Sequence, residues 1–220
     1  MSEVDDNMGR LFAHLEKRGV WDDTLVIFTS DHGEQMGDHW LYGKSGFFDQ
    51  SYHIPLLIRW PGARRGARVT AFTEHVDIMP TVLDWLRLDA PRQCDGRSLQ
   101  PLLRSDGVPT NWRTEAHWEY DFRDADYAVA LVGSLERCSL NVVRGHDVKY
   151  VHFADLPPLL FDLGSDPHEL IDRAADPAYS GRVAESAQRL LSWRMAHTDK
   201  TLSHMQVTQQ EGLIVREATL

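Results

Sequence analysis

Three scarcities bound this chain before any motif is considered. No stretch of its 220 residues stays apolar long enough to span a bilayer, so no membrane helix is expected. No basic run offsets a formal charge of −10, from 23 Lys and Arg against 33 Asp and Glu. Such a surface suits neither nucleic acid nor anionic membrane as a partner. There are only two cysteines, Cys94 and Cys138, too few for a disulfide framework, and a reduced cytoplasmic setting is expected. The opening Met1-Ser2-Glu3-Val4-Asp5-Asp6 shows neither the basic nor the apolar region of a secretory signal. What is present, 42% hydrophobic and 25% charged residues, suits a globular fold of one large domain, or one domain plus a small subdomain.

The order of elements is readable from periodicity. Val4, Met8, Leu11, Phe12 and Leu15 recur at helical spacing over residues 3–18, and Gly19 ends the pattern. Residues 24–29 read as a buried parallel strand and Ile54 to Trp60 as a second buried strand, ended by Pro61-Gly62. Asp77 is placed to cap a helix running to about Leu88, with Ile78, Val82, Leu83 and Leu86 inward. This order suits an α/β sandwich. After Pro109 the texture changes to short strand-like runs: Thr114 to Tyr120, Tyr127 to Val132, Ser139 to Val143 and Val148 to Phe153. A helix is expected from about Arg182 to His197, with Val183, Ala187, Leu190, Leu191 and Arg194 at helical spacing. The division expected is 1–108 for an α/β core, 109–199 for a small antiparallel α+β subdomain, and 200–220 for an arm. That arm would lean on something else, another subunit of a homo-oligomer being the candidate.

The densest chemistry lies in Thr29-Ser30-Asp31-His32-Gly33-Glu34-Gln35-Met36-Gly37-Asp38-His39, closed by Lys44. It follows an apolar strand, where open α/β sheets place their sites. Asp31 is a candidate ligand for a hard divalent cation. His32, beside it, would tilt preference from calcium towards manganese, zinc or iron. Lys44 is placed to meet an anionic group. Each has a plainer reading: Asp31 as a helix cap, His32 turned to a neighbour, Lys44 as a surface cation. Asp38 and His39 divide between supporting the ligands and shaping the loop, and His75, just before a helix, could face the same cleft.

These residues, with others in the same order, resemble the sulfatase branch of the alkaline phosphatase superfamily. Ser51-Tyr52-His53-Ile54-Pro55-Leu56-Leu57-Ile58-Arg59-Trp60-Pro61-Gly62 is similar to its S-x-R-V-P-L-I-I-x-x-P-G strand, with His53 where Arg is usual. Asp77-Ile78-Met79-Pro80-Thr81-Val82-Leu83-Asp84 resembles its D-L-x-P-T-L-L-D helix, and Asp95-Gly96-Arg97-Ser98-Leu99-Gln100-Pro101-Leu102-Leu103 its D-G-x-S-L-x-P-L-L loop. Leu160-Phe161-Asp162-Leu163 with Asp166-Pro167-His168-Glu169 resembles its Y-D-L-x-x-D-P-x-E turn. The wording around Gly37-Asp38-His39 and Gly43-Lys44 is nearest to phosphonate monoester hydrolases and their arylsulfatase relatives.

The resemblance implies the C-terminal portion of a mixed sheet sandwiched by helices, then a small antiparallel sheet with a packing helix. It implies metal-dependent hydrolysis of a small anionic sulfate or phosphonate/phosphate ester. One divalent ion (manganese, calcium or zinc) would sit on Asp31 and His32, with Lys44 on the substrate anion. The family's nucleophile motif, C-x-P-x-R or S-x-P-x-R, does not occur here, and Cys94-Asp95-Gly96-Arg97 lacks its proline. No nucleophile is therefore assigned in this chain. Ser2 to Leu11 resembles an internal helix of the family, so the chain looks like less than half of a full enzyme. The rival expectation is a catalytically inactive truncated fragment. A two-metal phosphatase site ranks below both, because only His75 and Asp77 could complete it.

Overall fold

The computed structural model describes the chain apart from residues 1, 92, 105–106, 124–127, 198–204, 209, 211 and 216–220. The first part runs α1 (Ser2–Lys17), β1 (Val26–Thr29), a short α2 (Asp49–Tyr52), β2 (Leu56–Arg59), α3 (Ile78–Trp85) and α4 (Gln100–Arg104). The second part is a four-stranded antiparallel sheet of β3 (Ala116–Asp121), β4 (Ser139–Arg144), β5 (Val148–Phe153) and β6 (Leu159–Asp162), in that spatial order. Between β3 and β4 lies a helical turn, α5 (Ala128–Val132). A long helix, α6 (Ser180–His197), and a hairpin of β7 (Met205–Thr208) and β8 (Gly212–Val215) follow. This is the mixed α/β fold expected.

Several local expectations are corrected. Strand β1 is not a parallel, fully buried strand: it pairs antiparallel with β2, Val26 opposite Arg59 and Thr29 opposite Leu56, and all four of its residues are half-buried. Leu57 of β2 is exposed, because no described element packs over that side. The run ending at Val132 is helical, not extended, over its described residues, Tyr127 lying outside them. A short apolar run carries no periodicity to separate the two states. Val132 turns into the core while Leu131 faces solvent, and Gly133, at φ 75°, ends the turn.

Helix α3 stops at Trp85 rather than Leu88. Arg87 takes a left-handed φ of 58°, its N–H donates to Asp84 O, and the Leu88 N–H donates to Leu83 O. That pair of bonds closes a helix end, and it leaves Leu86 exposed rather than inward. Asp77 stands at the N-cap position of α3, but its side chain makes no capping hydrogen bond to that helix. It closes a reciprocal capping box with Glu74 around the tight turn His75–Asp77. On α6, Leu190 is buried and Val183 and Ala187 pack beside it, but Leu191 is exposed. No residue of α1 is buried, and Val4 and Leu11 face solvent.

The four-stranded sheet has two apolar faces, as strand alternation requires. Val143, Tyr150 and Leu160 pack against Leu190 of α6. Leu140, Val142, Val151 and Phe161 pack on the other side with Phe122, Val132 and Cys138, and Phe47 and Phe48 come against them from the segment before α2. A third cluster, Leu99, Leu102 and Trp112, sits under Leu56 and Ile58 of β2. The outer edge of β6 is covered: the Leu160 N–H donates to the Asp172 carboxylate, and the Arg173 N–H donates to Leu160 O.

One buried cation ties the two parts together. Lys149 of β5 is fully buried and sits between Asp49 of α2, at 2.6 Å, and Glu169 of the turn after β6. Its ammonium also donates to Phe47 O and lies 5.2 Å from the Trp118 ring centroid. Burial drives the Asp49 carboxyl upward, but Lys149 and Arg144 outweigh it and hold Asp49 below the usual range. Burial and the nearby Asp49 win at Glu169, which is pushed up to about 6 in spite of Lys149.

A carboxyl raised in the folded state binds its proton more tightly than in the unfolded chain, whose value is near 4.5. Folded stability from Glu169 therefore grows as pH falls through 6 towards 4.5. In urea titrations across that range the wild-type chain should gain on Glu169→Gln as pH drops; parallel curves would refute the assignment.

Candidate metal and anion site

The loop after β1 is built by hydrogen bonds to its own ends. The Thr29 hydroxyl donates to Pro55 O at 2.8 Å, fixing the end of β1 on the entry to β2. The Gly33 N–H donates to Ser51 O at 2.8 Å. A side chain at Gly33 would put a Cβ 1.9 Å from Gln50 O, so only glycine allows this approach. Gln35, fully buried, donates from its backbone to Gly43 O and from its side chain to the Ser51 hydroxyl. Glu34 accepts the Gly43 N–H. Three non-glycine residues of the loop, Met36, His39 and Trp40, have φ between 52° and 61°. Such clustered backbone strain persists only where surrounding contacts enforce it.

Within this frame Asp31 and His32 stand together. One Asp31 oxygen accepts the His32 backbone N–H at 3.0 Å, and the other faces His32 Nε2 at 3.5 Å. His32 Nδ1 lies 2.7 Å from Gly33 O. A carbonyl can only accept, so Nδ1 carries a proton, and in the neutral ring it is Nε2 that holds the lone pair beside the carboxylate. This is the arrangement a metal-binding imidazole requires, its other nitrogen held by a backbone carbonyl. Desolvation pushes the Asp31 carboxyl up, but His32 in its protonated form, the backbone N–H groups and Lys44 together hold it below its ordinary value. It is ionised at neutral pH, as a ligand must be. Asp31 is mostly exposed and His32 half-exposed, so the pair is open to solvent. Lys44 is exposed too, and close enough to bear on Asp31 electrostatically.

The other candidates point elsewhere. Asp38 accepts from the Gln50 side chain at 3.2 Å. His39 stacks on Phe48, centroids 3.6 Å apart and rings 9° from parallel, and burial pulls its pKa down. Their described contacts are with residues 48–50 rather than with Asp31 or His32. His75 Nε2 lies 3.5 Å from the Thr29 hydroxyl, at the end of β1. Because that hydroxyl donates to Pro55 O, it is the acceptor of this longer contact.

The two-metal reading fails at Asp77. Its carboxylate is fully buried and accepts the Glu74 N–H, the Arg97 N–H and both arms of the Arg113 guanidinium. No lone pair is left over for a cation. Among the described residues no three His, Cys, Asp or Glu side chains converge as a metal cluster. Asp31 and His32 offer two donors of the kind a divalent ion takes, fewer than a closed site needs. Sequence reasoning did not single out Gln35 and Ser51, whose buried pair holds the loop; a neutral amide inside a run of charged and glycine residues was the available signal.

The family described as Sulfatase matches residues 1–88. The chain is 52% identical to the "Multifunctional alkaline phosphatase superfamily protein PehA" of Trinickia caryophylli, over 98% of this chain and 43% of that protein. It is 31% identical to the N-acetylglucosamine-6-O-sulfatase of Bacteroides thetaiotaomicron, over 89% of this chain and 34% of that one. Among solved structures, the phosphonate monoester hydrolase of Agrobacterium radiobacter superposes with a TM-score of 0.89 at 48% identity, over 99% of this chain and 44% of that one. These matches identify the chain as sulfatase-family sequence of the alkaline phosphatase superfamily, corresponding to the C-terminal part of longer members. It spans about 43% of the length of the first of these relatives. No described helix is long and apolar enough to cross a membrane.

The contact at Gly33 gives a direct test of the loop. Gly33→Ala must push the loop off residues 50–51, at about 1–3 kcal/mol of stability for such overpacking. It should also weaken Mn2+ binding, read by electron paramagnetic resonance. A variant with unchanged stability and Mn2+ affinity would show that the Gly33 approach does not position the pair.

Proposed function

We propose that this chain supplies the metal-ligand pair and the anion-binding cation of a hydrolase for sulfate or phosphonate/phosphate esters. The observation that carries the reading is the His32 ring, whose Nδ1 is committed to Gly33 O and whose Nε2 faces an ionised Asp31. Asp31 and His32 would hold one divalent cation. When bound there, such a cation supplies Lewis-acid polarisation of a non-bridging sulfuryl or phosphoryl oxygen. Lys44, on the same face as far as its charge reaches Asp31, would neutralise the charge that grows on those oxygens in the transition state. The chain's own loop holds these groups in place beforehand, so little reorganisation is needed at the moment of reaction.

The same proposal takes a small anionic ester as substrate, a cytoplasmic setting consistent with two free thiols, and the β7–β8 hairpin as an oligomer contact. A second reading is favoured by the two-ligand site and the missing nucleophile motif: the 220 residues by themselves do not turn over. The two readings concern different molecules, the longer polypeptide and the isolated chain, and one experiment separates them.

The test joins this chain to the N-terminal part of the Trinickia caryophylli relative and assays aryl phosphonate and aryl sulfate esters with Mn2+. The hybrid should hydrolyse at least one, and Lys44→Ala or Asp31→Asn should lower kcat/KM by about 10²–10³-fold. A folded, active hybrid indifferent to both substitutions would overturn the assignment. The isolated chain should show the buffer rate.

A further inference from the structure

The residue before Lys44 is a joint. Gly43 takes a left-handed φ of 82°, and no atom lies within 4 Å of the point where a Cβ would stand. Packing therefore does not hold it, and glycine has the widest backbone freedom of any residue. What holds it is a pair of hydrogen bonds from the other foot of the loop. The Gln35 N–H donates to Gly43 O at 2.8 Å, and the Gly43 N–H donates to the Glu34 carboxylate at 2.5 Å. The first bond fixes the peptide plane between Gly43 and Lys44, and the second fixes the plane before it. With both planes held, φ and ψ of Gly43 are set, and so is the point from which the Lys44 side chain starts.

The two bonds differ in kind. Gln35 is fully buried and its bond runs backbone to backbone, so it comes with the fold of the loop. Glu34 is exposed, and its bond is made by a side chain. A solvent-facing glutamate loses rotamer freedom to keep that geometry. A charge-assisted hydrogen bond, about twice as strong as a neutral one, offsets the loss. Glu34 does not serve as a third metal ligand: among the described residues no three His, Cys, Asp or Glu side chains converge. Lys44 is exposed as well, yet its charge reaches Asp31, so the ammonium stands on the side of the Asp31–His32 pair.

From this geometry we infer that Glu34 is a positioning residue for Lys44: its carboxylate locks the Gly43 joint, so that the ammonium is aimed before an anionic ester arrives. This role rests on the hydrolase reading for what Lys44 meets, and on the loop's own hydrogen bonds for the clamp. A misplacement of about 1 Å at a group that meets the reacting atoms costs up to roughly 100-fold in rate, which is the scale on which such a clamp acts. A plain charge effect has the opposite sign. A free carboxylate beside an anion site repels the substrate, and its removal would help binding.

The test compares Glu34→Ala with Glu34→Gln, which keeps an acceptor oxygen and drops the charge. In the 220-residue chain, 15N relaxation reads the order of the Gly43 and Lys44 amides. Both should be rigid in the wild type, loosen in Glu34→Ala and stay ordered in Glu34→Gln. In the hybrid with the N-terminal part of the Trinickia caryophylli relative, Glu34→Ala should lower kcat/KM for an aryl phosphonate or aryl sulfate ester about tenfold or more, and Glu34→Gln should recover most of it. Once Lys44→Ala is present, Glu34→Ala should cost little further, because a residue that acts through another adds nothing when that one is gone. Unchanged amide order in Glu34→Ala would overturn the clamp. An undiminished loss in the Lys44→Ala background, or a faster rate in both variants, would overturn the positioning role. A hybrid indifferent to Lys44→Ala would overturn the hydrolase reading, and the relaxation data would still decide the clamp.

Discussion

The Lys149 ammonium, sealed between Asp49, Glu169 and the Trp118 ring, is the interaction on which the rest of the structure depends. It joins three stretches that are remote in sequence: the segment after the candidate loop, the middle of the four-stranded sheet, and the turn after β6. Desolvating a cation is costly, and two carboxylates plus a backbone carbonyl are what offset it. Removing one partner of such a set generally costs about 3–5 kcal/mol, because the rest stay buried and unpaired. Around this pin the apolar contacts are directional. Phe47 and Phe48 lie against the sheet, Tyr52 stacks on Trp118 at 4.8 Å, and residues 47–52 are held where Ser51 can receive the Gly33 N–H.

The candidate site inherits its geometry from that pin by short steps. Ser51 fixes Gly33 and Gln35, and these fix the start of the loop that presents Asp31 and His32. Strain at Met36, His39 and Trp40 is tolerated because both ends of the loop are tied. A second buried knot, Asp77 with Glu74, Arg97 and Arg113, does for the start of α3 what Lys149 does for the sheet. Both knots are ionic and sit beside apolar clusters, and neither leaves a carboxylate free to bind a cation. The proposed chemistry therefore rests on the open pair, Asp31 and His32, with Lys44 near.

How much of this was legible in the sequence follows from the range of each interaction. The three sheet strands β3, β4 and β5 were visible because short runs of β-branched and aromatic residues between turn residues are a local signal. Asp31, His32 and Lys44 were visible because they share one short loop after an apolar strand. The pairing sense of β1 was not, since apolar runs look alike in parallel and antiparallel ribbons, and β6 was hidden inside a motif read as a turn. Leu86 and Leu191 fit a helical stripe, yet face solvent, because periodicity states which residues share a face and not what covers it. Lys149, Asp49 and Glu169 gave no sign of one another: charges on separate elements look like ordinary surface until the fold brings them together.

The proposed function requires His32 to be a pre-set ligand, its Nδ1 protonated on Gly33 O and its Nε2 open beside Asp31. Long-range 1H–15N NMR of the His32 ring, taken before and during addition of Mn2+, tests it most directly. The account requires Nε2 to be the unprotonated nitrogen, with the His32 signals broadening first and saturably on Mn2+ addition, and Asp31→Asn suppressing that broadening. An unprotonated Nδ1, or broadening that spares His32, would contradict it.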